Sequence, residues 1–301
     1  MNFSNVKEWT INEGSVIRVT DSLNRVIWEK QQPVPPTPTN EYFYVEDASG
    51  TQNTLTIVKN TSPAPSVRIY YSTDKINWVN MGYTSTTAKT ATIPANGRVY
   101  LKATTGAWGI RNNVDFYANN IKCDANFNVG GNIMSLLYGD NFENQTVLTE
   151  NYTFLRLFDT NSYSNNKIVN AGSLILPATT LTNGCYYGMF NANRNLTTAP
   201  ALPATTLVNY CYCEMFNDCD SLTTAPVLPA TTLVNYCYRG MFYSCNNLNS
   251  VTTYAQDISA TDCLENWLHL VSATGDFYNL GGATYESGGN GIPSGWTVHT
   301  S

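Results

Sequence analysis

Cysteine is the residue of this chain whose spacing comes nearest to the chemistry of a site. A first series repeats at a constant step of 26 residues, and a second series, Cys219 and Cys245, keeps the same step. A fixed step favours buried thiols packed in line, since free cysteine behaves as a small apolar side chain. A ladder of disulfides and a metal site are the two alternatives, although Cys211 and Cys213 form a C-x-C pair rather than C-x-x-C. The first series is Cys185, Cys211, Cys237 and Cys263.

The two histidines, His269 and His299, both lie near the C-terminus, away from any serine or cysteine signature. Asp218 and Asp220 flank Cys219 and are expected to lie on a solvated loop. The sequence also has no glycine-rich phosphate loop. We therefore predict no enzyme activity, no catalytic residue, no bound metal and no cofactor.

The composition limits the classes of partner. Charged residues make up 13% of the 301 residues, the formal net charge is −6, and no basic run occurs. Binding to nucleic acid is therefore not expected, because it requires a basic patch that neutralises phosphates. No apolar stretch approaches the roughly 18 residues of a transmembrane helix. The N-terminus also lacks the pattern of a signal peptide, and neither end has a lipidation motif. We expect that a signal has been removed or that the protein leaves the cell by another route, such as release of phage particles by lysis.

Three nearly identical segments define the second half of the chain. Repeats of this length predict a solenoid, in which each unit buries its apolar face against its neighbours. In the second copy, Leu207, Cys211 and Met215 follow the i, i+4, i+8 spacing of a short helix, capped by Thr205 or Thr206. The extended segment 222–228 predicts one strand per copy. The segments are LPATTLTNGCYYGMF from Leu176, LPATTLVNYCYCEMF from Leu202 and LPATTLVNYCYRGMF from Leu228.

The fold class predicted is mixed α+β, with an all-β sandwich-like domain followed by a leucine-rich-repeat solenoid. Trp9 and Trp28 are candidate anchors of a small N-terminal β unit, which either docks on another molecule or packs back on its own chain. The proline-rich linker after it favours docking. The predicted regions are a docking unit at 1–30, the linker at 31–40, the β domain at 41–122, a transition and N-terminal cap at 123–165, repeats at 166–270, and a C-terminal cap at 271–301, with a strand near Gly291–Trp296.

The β domain is expected to contain five or six short strands. Two hairpins are predicted within it. One joins 66–71 to 76–79, and the other joins 91–93 to 98–102 through a Pro-Ala-Asn-Gly turn. Three aromatic residues are candidates for stacking on a sugar ring, although core packing is the commoner role of such residues. They are Tyr70, Trp78 and Trp108.

Positions that differ between the copies are expected on the exposed outer side of the repeats. Their variation either is neutral or serves to select a ligand. The predicted strand face of the repeats carries threonines at the same positions in successive copies instead. The candidate ligand-contact residues are Tyr187, Arg194, Tyr210, Asp220, Tyr236, Arg239 and Tyr243.

The pattern Met-Phe-x-x-Cys-x-x-Leu-Thr followed by Leu-Pro resembles the BspA-like (Treponema-type) leucine-rich repeat, with a longer unit here. The positions that carry the resemblance are Met215, Phe216, Cys219, Leu222, Leu228 and Pro229. The layout of the chain also resembles surface and tail-associated proteins of gut anaerobes and their phages.

This resemblance implies adhesion. We expect a non-enzymatic receptor-recognition protein of a phage virion, such as a tail fibre, with a bacterial surface adhesin that binds host matrix protein or glycan as the alternative. The expected location is a virion or a cell surface. The expected partners are a virion or cell-surface scaffold for residues 1–30 and a cell-surface protein or glycan for the repeats, and the chain is a candidate homo-oligomer.

Overall fold

The computed structural model describes residues 41–60, 63–111, 115–159 and 167–300 in full, and the backbone of three strands before them. These strands are β1 (Val6–Ile11), β2 (Val16–Asp21) and β3 (Val26–Gln31), which form an antiparallel sheet in the order β1-β2-β3. The side chains of Trp9 and Trp28 and the proline-rich residues 32–40 lie outside the described part of the chain.

The next ten strands form two sheets. One has the order β10-β11-β5-β8 and the other the order β13-β12-β4-β9-β6-β7. The second sheet extends beyond residue 122, because β12 and β13 pair in parallel at its edge. The strands are β4 (Tyr44–Asp47), β5 (Asn53–Lys59), β6 (Arg68–Ser72), β7 (Val79–Tyr83), β8 (Lys89–Ile93), β9 (Arg98–Ala103), β10 (Gly109–Arg111), β11 (Phe116–Cys123), β12 (Phe127–Asn132) and β13 (Ile168–Ile175).

Alternating side chains join these two sheets through a shared core. Leu55 and Ile57 of β5 are buried, as are Val99 and Leu101 of β9, while the residues between them are more exposed. This period of two places one face of each strand in the core. All four side chains belong to one hydrophobic cluster, which is consistent with the predicted β-sandwich.

One of the two predicted hairpins is wrong. β6 and β7 pair as expected, but β8 pairs with β5, and β9 pairs with β4 and β6 in the other sheet. The turn itself forms, since the N–H of Gly97 donates to the carbonyl of Pro94 at 2.9 Å. A turn sequence reverses the chain, whereas burial of both strands decides which sheet each one joins.

The predicted mixed α+β solenoid with a helix in each repeat is also wrong. In the described part of the chain, the helices are α1 (Ser135–Tyr138) and a single 3-10 turn, Gly139–Asn141, so the protein is nearly all β. The segments predicted as repeat helices are runs of consecutive turns instead. They cover residues 183–192, 209–218, 235–244 and 261–270.

A left-handed residue at every fourth position produces these turns. In the second copy, Tyr210, Glu214 and Asp218 have φ of 59°, 54° and 59°. N–H groups then alternate between two kinds of acceptor. The N–H of Cys213 donates to the carbonyl of Tyr210 in its own copy, and that of Glu214 donates to Arg239 in the next copy, at 2.8 Å. The copies are therefore held in register by their backbones.

The extended parts of the repeats form fewer strands than predicted. Within 222–228, single bridges join Thr224 to Ser250 and Leu228 to Thr253. Full strands lie on either side of these bridges, as β13 before the first copy and as the parallel sheet β14-β15-β16 from Ser250 onward. These strands are β14 (Ser250–Thr253), β15 (Gly275–Asn279) and β16 (Trp296–Thr300), so the strand expected near Gly291–Trp296 begins at Trp296.

Neither helix in the described residues has the length and hydropathy needed to cross a bilayer.

Candidate functional site

The cysteines of both series are buried, free thiols. Burial raises the pKa of the Cys185 thiol to about 12 and that of Cys211 well above its ordinary value. In the second series, Sγ of Cys219 donates to the carbonyl of Phe190 at 3.3 Å, and Cys245 makes the same contact with Phe216 at 3.0 Å. The thiols of the second series therefore join successive copies.

Aromatic rows fill the interior beside them. Phe190, Phe216 and Phe242 stack at centroid distances of 5.5 and 5.7 Å, close to parallel. Tyr186 and Tyr212 stack in the same way at 5.7 Å, with planes 4° apart. Such offset stacks of buried rings stabilise the register of the copies beyond the area that they bury.

The turns carry a second set of side chains on their outer side. Tyr210 and Tyr236 are half-buried and stack with centroids 4.5 Å apart and planes 1° apart. The guanidinium of Arg239 lies 5.9 Å from the ring of Tyr236, and that of Arg111, from the β domain, lies 5.6 Å from Tyr210. We call Tyr210, Tyr236, Arg239 and Tyr243 the outer ridge. It contains four of the predicted ligand-contact residues.

Tyr187 does not belong to this ridge, although it was predicted to be exposed. It is buried together with Leu155 and Cys213, because Phe116 of the β domain packs against its ring at 4.8 Å. Its hydroxyl donates to Oε1 of Glu214 at 2.8 Å. The turns of the first two copies are thus covered at this position, and the uncovered part of the ridge begins farther along.

Arg194 and Asp220 lie together and are not among the four ridge residues. Arg194 is exposed and pairs with Asp218 at 2.7 Å and with Asp220 at 3.7 Å. Oδ1 of Asp220 also accepts a hydrogen bond from the Asn246 amide at 2.6 Å. These contacts join neighbouring copies along the loop that follows each run of turns.

The three predicted sugar-stacking residues have different surroundings. The prediction for Trp108 is wrong, because this residue is fully buried and its indole N–H donates to the carbonyl of Leu136. The Trp78 ring is engaged by Nζ of Lys102 at 4.1 Å and by the ring of Tyr42 at 4.9 Å. Tyr70 is half-buried on β6.

A small notch opens beside the ridge at Gly240. Its volume is about 160 Å³. Two carboxylates in it are held in place: Glu214 by Tyr187 and by Arg156 at 3.6 Å, and Glu265 by Arg239 at 2.7 Å. The notch is lined by Glu214, Asn217, Arg239, Gly240, Tyr243, Glu265 and Asn266.

Register explains why the notch lies at this point. Glu214, Gly240 and Asn266 occupy equivalent positions in successive copies, and each has a positive φ. Glycine in the middle copy leaves a gap in this row. A Cβ at Gly240 would lie 3.4 Å from Cγ of Glu214.

Sequence comparison of the copies found Arg239 and Tyr243 but missed the carboxylates and the glycine. Glu214 and Gly240 occupy the same position in two successive copies, and this difference in residue type was the signal that could have indicated the notch. The comparison assigned exposed positions on a predicted helix, and this position was not among them, although Glu214 and Gly240 lie side by side in the runs of turns.

Each of the two histidines contacts a side chain of a neighbouring segment. The ring of His269 stacks on Tyr243 at 5.4 Å, and Nε2 of His299 lies 2.7 Å from Oδ1 of Asp276 between β16 and β15.

Searches with protein-family models, among curated proteins and among solved structures each found no match for this chain. The resemblance to the BspA-like repeat therefore stays a prediction.

Proposed function

We propose that this protein is a non-enzymatic recognition protein that binds a cell-surface ligand through the outer ridge and the notch beside it. One observation supports the proposal most strongly. The inner positions of the copies repeat as Cys, Tyr or Phe, whereas the outer positions of the later copies change to Arg239, Tyr243 and Glu265. Tyrosine and arginine are the residues that most often dominate the energy of protein interfaces.

The mode of attachment is part of the proposal. Residues 1–30 contain most of the separate antiparallel sheet β1-β2-β3, which would hold the protein on a virion. Detection of the chain in purified phage particles is the expected result. Recovery only in bacterial cell-envelope fractions would contradict the virion assignment without affecting recognition itself.

Adsorption of the purified, labelled full chain to intact anaerobic bacteria tests the recognition step. Arg239→Ala removes a ridge guanidinium and its ion pair with Glu265, and we expect it to weaken adsorption about tenfold or more. Arg194→Ala is the matched control, since Arg194 is also an exposed, paired arginine of the repeats but lies off the ridge. Saturable adsorption that both variants retain in full would refute binding through the ridge.

A further inference from the structure

We infer that the notch at Gly240 binds one ring of a neutral saccharide, an inference that rests on the proposed recognition function and names its ligand class. The notch is concave, and its volume of about 160 Å³ suits a single sugar ring better than a folded protein epitope.

The existing ion pairs of the notch favour an uncharged ligand. Glu214 and Glu265 place two carboxylates in the notch, and each lies against a guanidinium, that of Arg156 or that of Arg239. Both carboxylates are therefore already paired, and Arg156 also pairs with Asp159 at 3.4 Å. An ammonium or phosphate ligand would have to displace one of these ion pairs, whereas a hydroxyl can share their remaining lone pairs and N–H groups.

The polar groups match sugar hydroxyls. The side-chain amide of Asn217 is half-buried, and among the described residues it has no hydrogen-bond partner, so its N–H₂ donors and its carbonyl acceptor are available. An amide offers both roles side by side, which a pair of neighbouring hydroxyls requires. The carboxylates are positioned beforehand by Tyr187 and Arg239, which lowers the entropic cost of binding.

Tyr243 supplies an apolar wall. Its ring stacks on His269, the next residue in its row. Its neighbour on the other side of the row is Asn217, which also lines the notch, and the Tyr243 side chain is half-buried. A partly exposed aromatic ring beside polar groups suits a sugar, which carries C–H groups on one face and hydroxyls at its edge.

Nuclear magnetic resonance of the nitrogen-labelled full chain provides the test, with the methyl glycosides of glucose, galactose, mannose and N-acetylglucosamine as probes. We expect at least one probe to shift the amide signals of Gly240 and its notch neighbours with millimolar affinity. Asn217→Ala and Tyr243→Ala should each weaken that binding about tenfold. Asn191→Ala is the matched control, because Asn191 occupies the position of Asn217 one copy earlier and lies outside the notch.

Three outcomes would overturn the inference: no response to any of the four probes, shifts only outside the notch, or equal losses in Asn217→Ala and Asn191→Ala. Adsorption to cells, measured on the same samples, separates this failure from failure of the proposed function. Adsorption without notch shifts refutes the saccharide alone. Notch shifts without adsorption support the saccharide and contradict cell-surface recognition.

Discussion

Single residues in the turns determine how the copies fit together. Gly184 and Gly240 both have φ near +60°, a conformation that costs other L-residues roughly 1–2 kcal/mol. Their surroundings differ. A Cβ at Gly184 would lie 2.3 Å from the ring of Tyr152, while one at Gly240 would meet only Cγ of Glu214 at ordinary contact distance.

This contrast predicts an unequal response to the same substitution. Gly240→Ala should lower the free energy of unfolding by about 1 kcal/mol, from backbone strain alone. Gly184→Ala should lower it by about 1–3 kcal/mol more, because the Tyr152 ring must move as well. Urea denaturation of both variants measures the difference. Equal losses would show that Tyr152 does not pack over Gly184.

The second cysteine series shows one contact made by two residue types. In the first copy its position is held by Asn193, whose amide donates to the carbonyl of Phe158 at 3.2 Å. Cys219 and Cys245 make the equivalent bond through Sγ. Each satisfies a carbonyl of the preceding copy, so the position requires a small buried donor rather than a thiol.

At the scale of elements, the inward positions of the repeats were predictable and their backbone was not. Leu207, Cys211 and Met215 are buried as the four-residue spacing predicted. That spacing fits a helix, and it fits equally a chain whose conformation repeats every four residues. The signal that separates the two is glycine at Gly184 and Gly188, four residues apart, which favours left-handed positions. The notch could not be predicted, because it depends on which copies lie side by side.

The β domain shows the same limit. Alternation identified β5 and β9, but nothing local indicated that β8 and β9 join different sheets. The end of β4 helps to hold this arrangement. Asp47 accepts hydrogen bonds from Ser49 Oγ at 2.6 Å and from the N–H groups of Gly50 and Asn96 at 3.0 Å. It thereby joins the turn after β4 to the turn between β8 and β9.

Asp47 should make stability depend on acidity. Burial acts to raise the pKa of its carboxyl group, but the hydrogen bonds from Ser49, Asn96 and Gly50 outweigh it and lower the pKa to about 2. Because the folded pKa is lower than the unfolded one, the carboxylate stabilises the fold above about pH 4, and this stabilisation is lost as the pH falls toward 2. Wild type should therefore exceed Asp47→Asn in unfolding free energy at pH 7, with the gap closing on acidification. A gap independent of pH would contradict this account.

For the molecule as a whole, register between copies is the basis of both fold and site. Glu214 and Asn217 of one copy, Arg239 and Gly240 of the next, and Glu265 of the one after it meet in a single notch. They do so because the backbone hydrogen bonds that cross between copies keep equivalent residues side by side. Shifting one copy by a single residue would bring different positions side by side and break up the notch.

The most direct test of this register is the scalar coupling across hydrogen bonds, measured by nuclear magnetic resonance in deuterated, isotope-labelled protein. The structure predicts a coupling from the amide nitrogen of Tyr212 to the carbonyl carbon of Cys237 and another from Glu214 to Arg239, across bonds of 3.1 and 2.8 Å. A coupling from the amide nitrogen of Tyr212 to the carbonyl carbon of Val208 instead, as in an α-helix, would contradict the runs of turns and the notch that depends on them.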